Sequence, residues 1–411
     1  MFNNSIYHRY YRLLNQAEWN RTDLIQPLCI LILSITGIFF IYSAQLYTGG
    51  SFWIKQIVWL FLGAFFYTLV SLINYRIYLE KGHWIYGLSI LLLLLLWTPL
   101  GEERNNSRRW LDFGYFLFQS SEAAKIGSLI MVSSILARSE IGSIKDSFKV
   151  IAKVTIVILI PILLIFKQPD LGSALIFPPM IFSLLYISKL SERFFAIIFA
   201  VFILLMGLLS LDIYKYYTYL QENEISVYES DYQNQAGLQL PLKDYQRNRI
   251  LAFIVPKAVD PRGIGVSWNQ RQSHITVGSG GALGKGWTEG TQAKLGYLPQ
   301  SVAYTDFIFS VLAEEKGFLG SIFVIGIYVV LVCNGIRIAA MARDRFGMLL
   351  VVGICVIFMV HIFINVGMTI GIMPITGLPL PFLSYGGSFI ISCCILQGLI
   401  QSVFRYRREI S

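Results

Sequence analysis

One stretch of this sequence combines a carboxylate, several basic side chains and a run of glycines. It extends from Tyr245 to Gly286 and contains Asp260, which directly precedes a proline. A carboxylate on extended backbone between basic residues can act as a general base or as a metal ligand, although a loop aspartate is also a common turn former. The five glycines from Gly278 onward either cradle a phosphate or form an irregular connection. They match neither a Walker loop nor a dinucleotide fingerprint.

A second group of chemically active residues lies close to the middle of the first half of the chain. Glu122 and Lys125 are three residues apart, so on a helix they share one face. Ser120 or Ser121 is the expected N-cap, which puts Glu122 in the first helical turn. The pair is then either an ordinary interfacial ion pair or part of the charged rim of a membrane cavity.

Polar groups also interrupt the apolar segments of the second half. His361 and Asn365, four residues apart, predict hydrogen bonds between helices. Glu314 and Glu315 cannot both face lipid, so at least one of them should point into a helix bundle. Three prolines in residues 374–387 exclude a helix there, and non-helical backbone at membrane depth must be buried in protein or line a watery cavity.

The composition indicates which elements must position these groups. The chain has 411 residues, of which 55% are hydrophobic and 14% charged, whereas soluble domains carry about 25% charged residues. It is therefore expected to be an integral membrane protein. The net charge of +9 does not predict nucleic-acid binding, because an excess of Lys and Arg in cytoplasmic loops produces the same balance.

The predicted fold is an all-α polytopic membrane protein with about ten transmembrane helices. The expected spans lie near residues 24–46, 53–73, 84–100, 121–138, 150–167, 170–188, 193–211, 304–333, 346–371 and 386–404. The chain then divides into an N-terminal tail (1–23), helices one to seven (24–211), a large loop (212–303), helices eight to ten (304–404) and a C-terminal tail (405–411). The loop is rich in aromatic and aliphatic residues, which predicts a folded region rather than disorder.

The distribution of Lys and Arg predicts the orientation in the membrane. The segments that carry most of them are those that share a side with the N-terminus, so both termini are expected in the cytoplasm and the large loop outside. Arg108 and Arg109 then lie in a short outer loop, against this rule, which points to a functional role for that loop.

Seven motifs, taken in this order, resemble the shape, elongation, division and sporulation (SEDS) family of bacterial membrane proteins. The motifs are R-R-W-L-D (108–112), F-Q-S-S-E-A-A-K (118–125), Q-P-D-L-G (168–172), D-P-R-G (260–263), G-S-G-G-A-L-G-K-G (278–286), Y-T-D-F-I-F (304–309) and T-G-L-P-L-P-F-L-S-Y-G-G (376–387). The segments G-T-Q (290–292) and V-L-A-E-E-K-G-F (311–318) are closer to the RodA branch of elongation proteins than to the FtsW branch of division proteins.

The resemblance implies a peptidoglycan glycosyltransferase in the bacterial cytoplasmic (inner) membrane. Such enzymes polymerise lipid II, an undecaprenyl-pyrophosphate-linked disaccharide-pentapeptide, on the outer face of the membrane during cell elongation. They work within the elongation machinery with a class B penicillin-binding protein that supplies transpeptidation. The resemblance makes Asp260 the catalytic carboxylate, and it puts Glu122 and Lys125 in the central cavity.

The chemistry of this reaction assigns expected roles to the other candidates. A leaving pyrophosphate needs cationic partners, for which Arg109, Lys125, Arg262 and Lys285 are available. Ser384 and Tyr385 of the last motif are further expected substrate-binding residues. Asp260 and Glu122 could also hold one divalent cation, Mg²⁺ or Mn²⁺, through carboxylate oxygens. The alternatives are an FtsW-like division or sporulation polymerase, a lipid II flippase and a non-catalytic cell-wall scaffold.

Overall fold

The structure is a computed structural model. It describes residues 22–47, 49–104, 107–114, 116–139, 144–168, 170–188, 192–223, 225, 227, 230–234, 240, 242–260, 263–265 and 267–407. Most of the expected N-terminal tail lies outside these residues, as do the last four residues of the chain and the candidate Arg262.

Helices form most of the described chain. The first three are α1 (Ile25–Gln45), α2 (Phe52–Leu72) and α3 (Arg76–Leu94). A small antiparallel sheet follows, with β1 (Gly101–Arg104), β2 (Ser107–Asp112) and β3 (Leu117–Gln119) in the order β1-β2-β3. The next helices are α4 (Ser120–Arg138), α5 (Ile144–Lys167), α6 (Leu171–Ala174), α7 (Phe177–Ile187) and α8 (Glu192–Glu222).

Short helices occupy the large loop, and three long ones complete the chain. The loop contains α9 (Asp244–Ile254), α10 (Pro256–Val259), α11 (Trp268–Ser279), α12 (Thr291–Lys294) and α13 (Gln300–Ala303). The long helices are α14 (Ile308–Ala340), α15 (Arg345–Thr369) and α16 (Gly387–Arg405).

Within the described residues, eight helices have the length and hydropathy that a membrane crossing requires. The expected fourth and sixth spans are present as helices but do not meet this criterion. Helix α4 is long enough, with 19 residues, but Glu122, Lys125 and Arg138 lower its hydropathy. The apolar helical segment Leu171–Ile187 is too short. Much of α4 is buried among other helices, so it does not need a continuous apolar surface.

The bounds of several helices differ from the sequence-based prediction. The third span was expected at residues 84–100, but α3 extends from Arg76 to Leu94, and the fifth was expected from residue 150, but α5 begins at Ile144.

The seventh predicted span was expected to end at residue 211, but α8 continues to Glu222, because Ile213, Tyr216 and Leu220 of this extension pack into a small apolar core of the loop. The eighth was expected to begin at residue 304, whereas α14 begins at Ile308 after a turn and extends to Ala340. Residues 212–222 of the large loop are thus helical and continuous with the membrane helix that precedes them.

Helices α15 and α16 form the centre of the bundle. In the most apolar stretch of each helix, 67% of the residues of α15 and 72% of those of α16 are buried. Helix α16 packs along α2 and brings Gly398 against the Tyr67 carbonyl oxygen, which a β-carbon at residue 398 would approach to 2.8 Å. The apolar stretch of α8, in contrast, has no buried residue, so this part of the helix is expected to face lipid.

The loop has a small apolar core of its own, around Tyr216, Tyr232 and Leu251. Arg247 is fully buried beside it, 2.9 Å from Asp212 and 3.3 Å from Asp244, and its guanidinium lies over the Tyr232 ring at 5.1 Å. A buried guanidinium with two carboxylate partners ties α9 to the end of α8. The described part of the loop is therefore folded, as its composition predicted.

Candidate functional site

A cavity of about 1390 Å³ opens at one end of the helix bundle. Its wall comes from several junctions that are distant in sequence: the start of α2, the small sheet, the start of α4, the α5–α6 turn, α9, the segment before α14 and the proline-rich segment before α16. The sequence predicted that these junctions share one side with the large loop, and they do meet here. The loop contributes Tyr245 and Arg249, while Asp260 is not among the residues that line the cavity.

The small sheet positions Arg109. Alternate residues of a strand point to opposite faces, and the two neighbouring arginines have different surroundings. Arg109 lines the cavity, with Nη1 3.8 Å from Asp170 Oδ1 and Nε donating to the Gln168 carbonyl at 3.4 Å. Arg108 is largely exposed and lies 3.6 Å from Glu103. Of the two arginines that go against the charge rule, Arg109 is therefore the one that faces the cavity.

Asp170 caps the short helix α6 and joins three elements of the wall. Its Oδ1 accepts from the Ser173 backbone N–H at 3.2 Å, and its Oδ2 accepts from the Ser173 hydroxyl at 2.8 Å. Gln119 Nε2 and Ser121 Oγ also reach Oδ2, both at 3.4 Å. These contacts hold the start of α4 against the α5–α6 turn.

The expected serine N-cap of α4 is wrong. Gln119 is still extended and pairs with Trp110 in the sheet, so the helix begins at Ser120 with no side-chain cap. Ser121 instead donates its hydroxyl toward Asp170. Glu122 does lie in the first helical turn, as predicted.

Glu122 and Lys125 form a buried ion pair at the cavity floor. Lys125 Nζ lies 2.7 Å from Glu122 Oε1 and 3.3 Å from His361 Nε2 on α15. The other ring nitrogen, Nδ1, lies 3.0 Å from the Pro379 carbonyl, which can only accept a hydrogen bond. Nδ1 therefore carries the proton and Nε2 accepts from the lysine ammonium. Of these residues, Glu122 and Pro379 line the cavity.

Hydrogen bonds fix the segment before α14 against the proline-rich segment. The Tyr385 N–H donates to the Tyr304 carbonyl at 2.9 Å, and the Ser384 hydroxyl donates to the Thr305 carbonyl at 2.6 Å. Ser384 is fully buried and does not line the cavity, whereas Tyr385 does and packs against the rings of Phe52 and Tyr304. The segment is non-helical, as its prolines predicted.

The glycine run packs against α14. Lys285 N–H donates to the Glu314 carbonyl and Gly286 N–H to the Glu315 carbonyl, each at 3.0 Å. Gly284 has φ +80° and its missing β-carbon would lie 2.2 Å from the Glu315 carbonyl oxygen. These contacts occupy amide groups that a phosphate cradle would need, so the structure favours the irregular connection.

Lys285 belongs to the same junction. Its Nζ lies 2.6 Å from Glu314 Oε1, which also accepts from the N–H groups of Thr291 and Gln292. Both Glu314 and Glu315 are buried, so the expectation that at least one faces the interior is confirmed. Lys285 is not among the residues that line the cavity.

Asp260 closes a turn that leads into α11. Its Oδ2 accepts from Gly265 N–H at 2.8 Å and from the Ser267 hydroxyl at 2.7 Å, and its Oδ1 accepts from Ile264 N–H at 3.3 Å. Partial burial raises the pKa of Asp260, but the hydrogen bonds from Ser267, Gly265 and Ile264 outweigh burial and hold the pKa below its usual value. The carboxylate is therefore ionised at neutral pH.

Four charged residues of the cavity were not among the sequence-based site candidates: Lys55, Asp170, Arg249 and Asp306. Arg249 lies on α9, with its guanidinium 5.9 Å from the centre of the Tyr245 ring. Asp306 lies just before α14 and also lines the cavity. Burial raises the pKa of Asp306 to about 6, against the opposing effects of Arg249 and Arg109. The Y-T-D-F-I-F motif, which contains Asp306, is the sequence feature that could have identified this residue. Arg249 could not be distinguished from the other basic residues of the loop.

The expected cation ligands do not fit a shared site. Glu122 bonds to Lys125 in the cavity, while Asp260 lies outside the cavity wall and accepts from its own turn. The described residues contain no cluster of three or more His, Cys, Asp or Glu side chains arranged to hold a metal ion. No step of the chemistry is therefore assigned to a cation.

The chain resembles proteins of one family over nearly its whole length. The FtsW/RodA/SpoVE model of cell cycle proteins matches residues 23–409. Peptidoglycan glycosyltransferase RodA of Treponema pallidum is 33% identical over 93% of this chain and 97% of its own length. Peptidoglycan glycosyltransferase MrdB of Escherichia coli K12 is 31% identical over 96% of both chains. A probable peptidoglycan glycosyltransferase FtsW of Geobacter metallireducens is 32% identical over 95% of this chain and 96% of its own.

Solved structures share the fold. A chain in a peptidoglycan synthase complex that coordinates polymerization and crosslinking matches with a TM-score of 0.73 and 26% identity, over 95% of this chain and 99% of that one. The rod shape determining protein RodA of Thermus thermophilus matches with a TM-score of 0.64 and 25% identity over the same shares. The motifs, the fold and these matches agree, and the chain therefore belongs to the FtsW/RodA/SpoVE (SEDS) family of cell cycle proteins.

Proposed function

We propose that this chain is a peptidoglycan glycosyltransferase that polymerises lipid II during cell elongation. The observation that carries the proposal is the cavity at the end of the bundle, where Arg109 and Arg249 share one wall with Asp170, Asp306 and Glu122. Relatives that are 31–33% identical over nearly the full length are named peptidoglycan glycosyltransferases of the RodA and MrdB type.

The cavity suits the leaving group of this reaction. Joining the C4 hydroxyl of one sugar to the anomeric carbon of another releases a pyrophosphate, whose developing charge needs preorganised cations. Arginine guanidinium groups bind phosphate oxygens in a bidentate manner and stay charged. Arg109 and Arg249 supply two such groups from different elements, and Lys55 adds a third cation to the wall.

Asp260 remains the proposed catalytic carboxylate, on the strength of the family resemblance. Of the two roles open to it, its low pKa favours a group that stays ionised over one that accepts a proton near neutral pH. Lys125 and Glu122 are proposed to bind substrate from the cavity floor, and Tyr385 from its side. Arg262, Lys285 and Ser384 stay predictions as substrate-binding residues; Ser384 is placed to act through the backbone of Thr305.

The lipid part of the substrate explains why such a site lies at the end of a membrane bundle. A polyprenyl chain stays in the bilayer while its head group reaches the cavity. We propose that all ten expected helices cross the membrane, with both termini in the cytoplasm and the cavity on the outer face. The excess of Lys and Arg at the opposite end of the helices supports this orientation.

The proposed partner is a class B penicillin-binding protein within the elongation machinery. A structural neighbour with a TM-score of 0.73 comes from a complex described as a peptidoglycan synthase that coordinates polymerization and crosslinking. Such a partner would cross-link the strands that this chain makes.

The test is polymerisation of labelled lipid II by the purified chain with its partner, read as glycan length on a gel. We expect polymer from the wild type and its loss in Asp260→Ala. Asp231→Ala, which changes an exposed loop carboxylate in contact with Asn234, is the matched control and should keep full activity. Undiminished polymer from Asp260→Ala would remove the proposed role of this residue.

The same preparation distinguishes the alternatives. Transbilayer movement of lipid II in liposomes without polymer would favour a flippase, and neither activity would favour a scaffold. Rescue of a division-deficient strain rather than one deficient in rod shape would favour the FtsW-like role. Treatment with a chelator, followed by Mg²⁺ or Mn²⁺, tests the predicted cation requirement.

A further inference from the structure

We propose that Asp306 is a catalytic residue of this cavity and that its carboxylate accepts the proton of the attacking sugar hydroxyl. The inference rests on the proposed function and deepens it, because it assigns the proton acceptor of the same reaction. The sequence offered Asp260 as general base or as metal ligand; this inference gives the role of general base to Asp306.

The backbone around Asp306 is held firmly. Asn365 Nδ2 donates to the Asp306 carbonyl at 2.8 Å, and the two preceding carbonyls accept from Tyr385 N–H and the Ser384 hydroxyl. Three consecutive carbonyls are thus fixed by donors from α15 and from the proline-rich segment. The side chain lies against the turn at Gly377, whose missing β-carbon would be 3.5 Å from Asp306 Oδ2. A side chain on such backbone is preorganised for catalysis.

Asp306 differs from the other cavity carboxylates in its hydrogen bonding. Asp170 accepts from Ser173 and Gln119, and Glu122 accepts from Lys125. Within the part of the chain that the structure describes, no group hydrogen-bonds to the carboxylate of Asp306. Its oxygens are therefore available to a substrate hydroxyl, whereas those of the other two carboxylates already have donors.

The charges around Asp306 suit a proton acceptor. The charged groups that face it are Arg249 on α9, Arg109 on β2 and Asp170 at the α5–α6 turn. Other titratable groups of the same cavity are Lys55, Glu122, Tyr245, Tyr304 and Tyr385. Burial outweighs the two guanidiniums and brings the pKa of Asp306 to about 6, whereas the pKa of Asp260 lies below its usual value.

The proposed step balances as follows. The oxygen of the acceptor C4 hydroxyl forms a bond to the anomeric carbon of the donor, and its proton moves to Asp306. The bond from that carbon to the phosphate oxygen breaks, and the electron pair leaves with the pyrophosphate, beside Arg109 and Arg249. Asp306 then releases its proton to water and is ready for the next sugar.

The test is the pH dependence of lipid II polymerisation by the chain with its partner, between pH 5 and 8. A base with a pKa of about 6 must lose its proton to act, so the wild-type rate should rise about tenfold per pH unit below 6 and level off above 7. Asp306→Asn should lower kcat by about 100-fold, with KM changed by less than about threefold and the limb near pH 6 absent. Glu103→Gln removes an exposed carboxylate outside the cavity and should behave as the wild type.

Two further variants separate a chemical role from a structural one. Asp306→Ala should regain part of its rate on addition of formate, a small carboxylate that can occupy the vacated space. Asp306→Glu should fold and keep a shifted pH limb. A rate for Asp306→Asn within about threefold of the wild type, an unshifted limb in any Asp306 variant, or no formate effect in a folded Asp306→Ala would overturn the inference. Absence of polymer from the wild type itself would instead contradict the proposed function.

Discussion

Asn365 donates to the backbone carbonyl of Asp306 at 2.8 Å and thereby couples the C-terminal part of α15 to the cavity wall. The same amide donates to the Leu378 carbonyl at 2.7 Å, so one side chain fixes the distance between two wall segments. His361, one turn earlier, makes the corresponding contact with Pro379. The sequence predicted interhelical hydrogen bonds for these two residues; their partners are Lys125 on α4 and the irregular segments beside the cavity.

Replacement of Asn365 should therefore affect both stability and catalysis. Asn365→Leu keeps similar volume but leaves two carbonyls without a donor in a dry environment, which costs about 2–4 kcal/mol in unfolding free energy. We expect a lower Tm and a polymerisation rate at least tenfold below wild type. Asn234→Leu, on the exposed loop surface, is the control and should change neither. A fully active Asn365→Leu would show that this amide does not position Asp306.

The Glu122–Lys125 pair should behave as one unit. Lys125→Met leaves a buried carboxylate without its cation, and breaking such a pair costs about 3–5 kcal/mol. The double variant Glu122→Gln, Lys125→Met removes both charges and should recover much of the lost Tm without recovering activity. Thermal unfolding of the wild type, both single variants and the double variant measures the coupling. Simple addition of the two single effects would mean that the charges do not interact.

Alanine substitutions at two positions of the glycine run should change the Tm in opposite directions. Gly284→Ala puts a β-carbon 2.2 Å from the Glu315 carbonyl oxygen at a φ of +80°, so we expect a loss of about 2 kcal/mol or more and a looser contact with α14. Gly278→Ala adds a β-carbon that meets nothing within 4 Å on helix α11, where alanine favours the helix by about 0.5–1 kcal/mol. Tm values of the two variants check both signs, and equal shifts would exclude this packing role.

The membrane helices and their breaks could be predicted because they depend on local sequence. The length of each apolar segment determines whether it can span the membrane. The prolines before α16 exclude a helix regardless of their tertiary contacts. The helix ends were less predictable, since they depend on tertiary contacts. Gln119 stays extended because it pairs with Trp110, and that pairing moves the start of α4 away from the expected serine cap.

The candidate site could be predicted only in part, because it also depends on tertiary contacts. The junctions that form the cavity follow from topology, since alternate ends of successive spans share one side. Which side chains face the cavity does not follow, because Arg249 and Asp306 belong to separate segments of the chain that meet only in the folded structure. The glycines between 278 and 286 show the converse case, where a pattern compatible with phosphate binding serves contacts with α14 instead.

The most direct test of the cavity as the reaction site compares two adjacent arginines. Arg109 lines the cavity beside Asp170, whereas Arg108 lies on the exposed side beside Glu103. The measurement is the initial rate of lipid II polymerisation by Arg109→Gln and Arg108→Gln with the penicillin-binding partner present. Loss of a cation that stabilises the leaving pyrophosphate should slow Arg109→Gln by about 100-fold, while Arg108→Gln stays within about twofold of wild type. Equal rates for the two variants would contradict the assignment of this cavity as the active site.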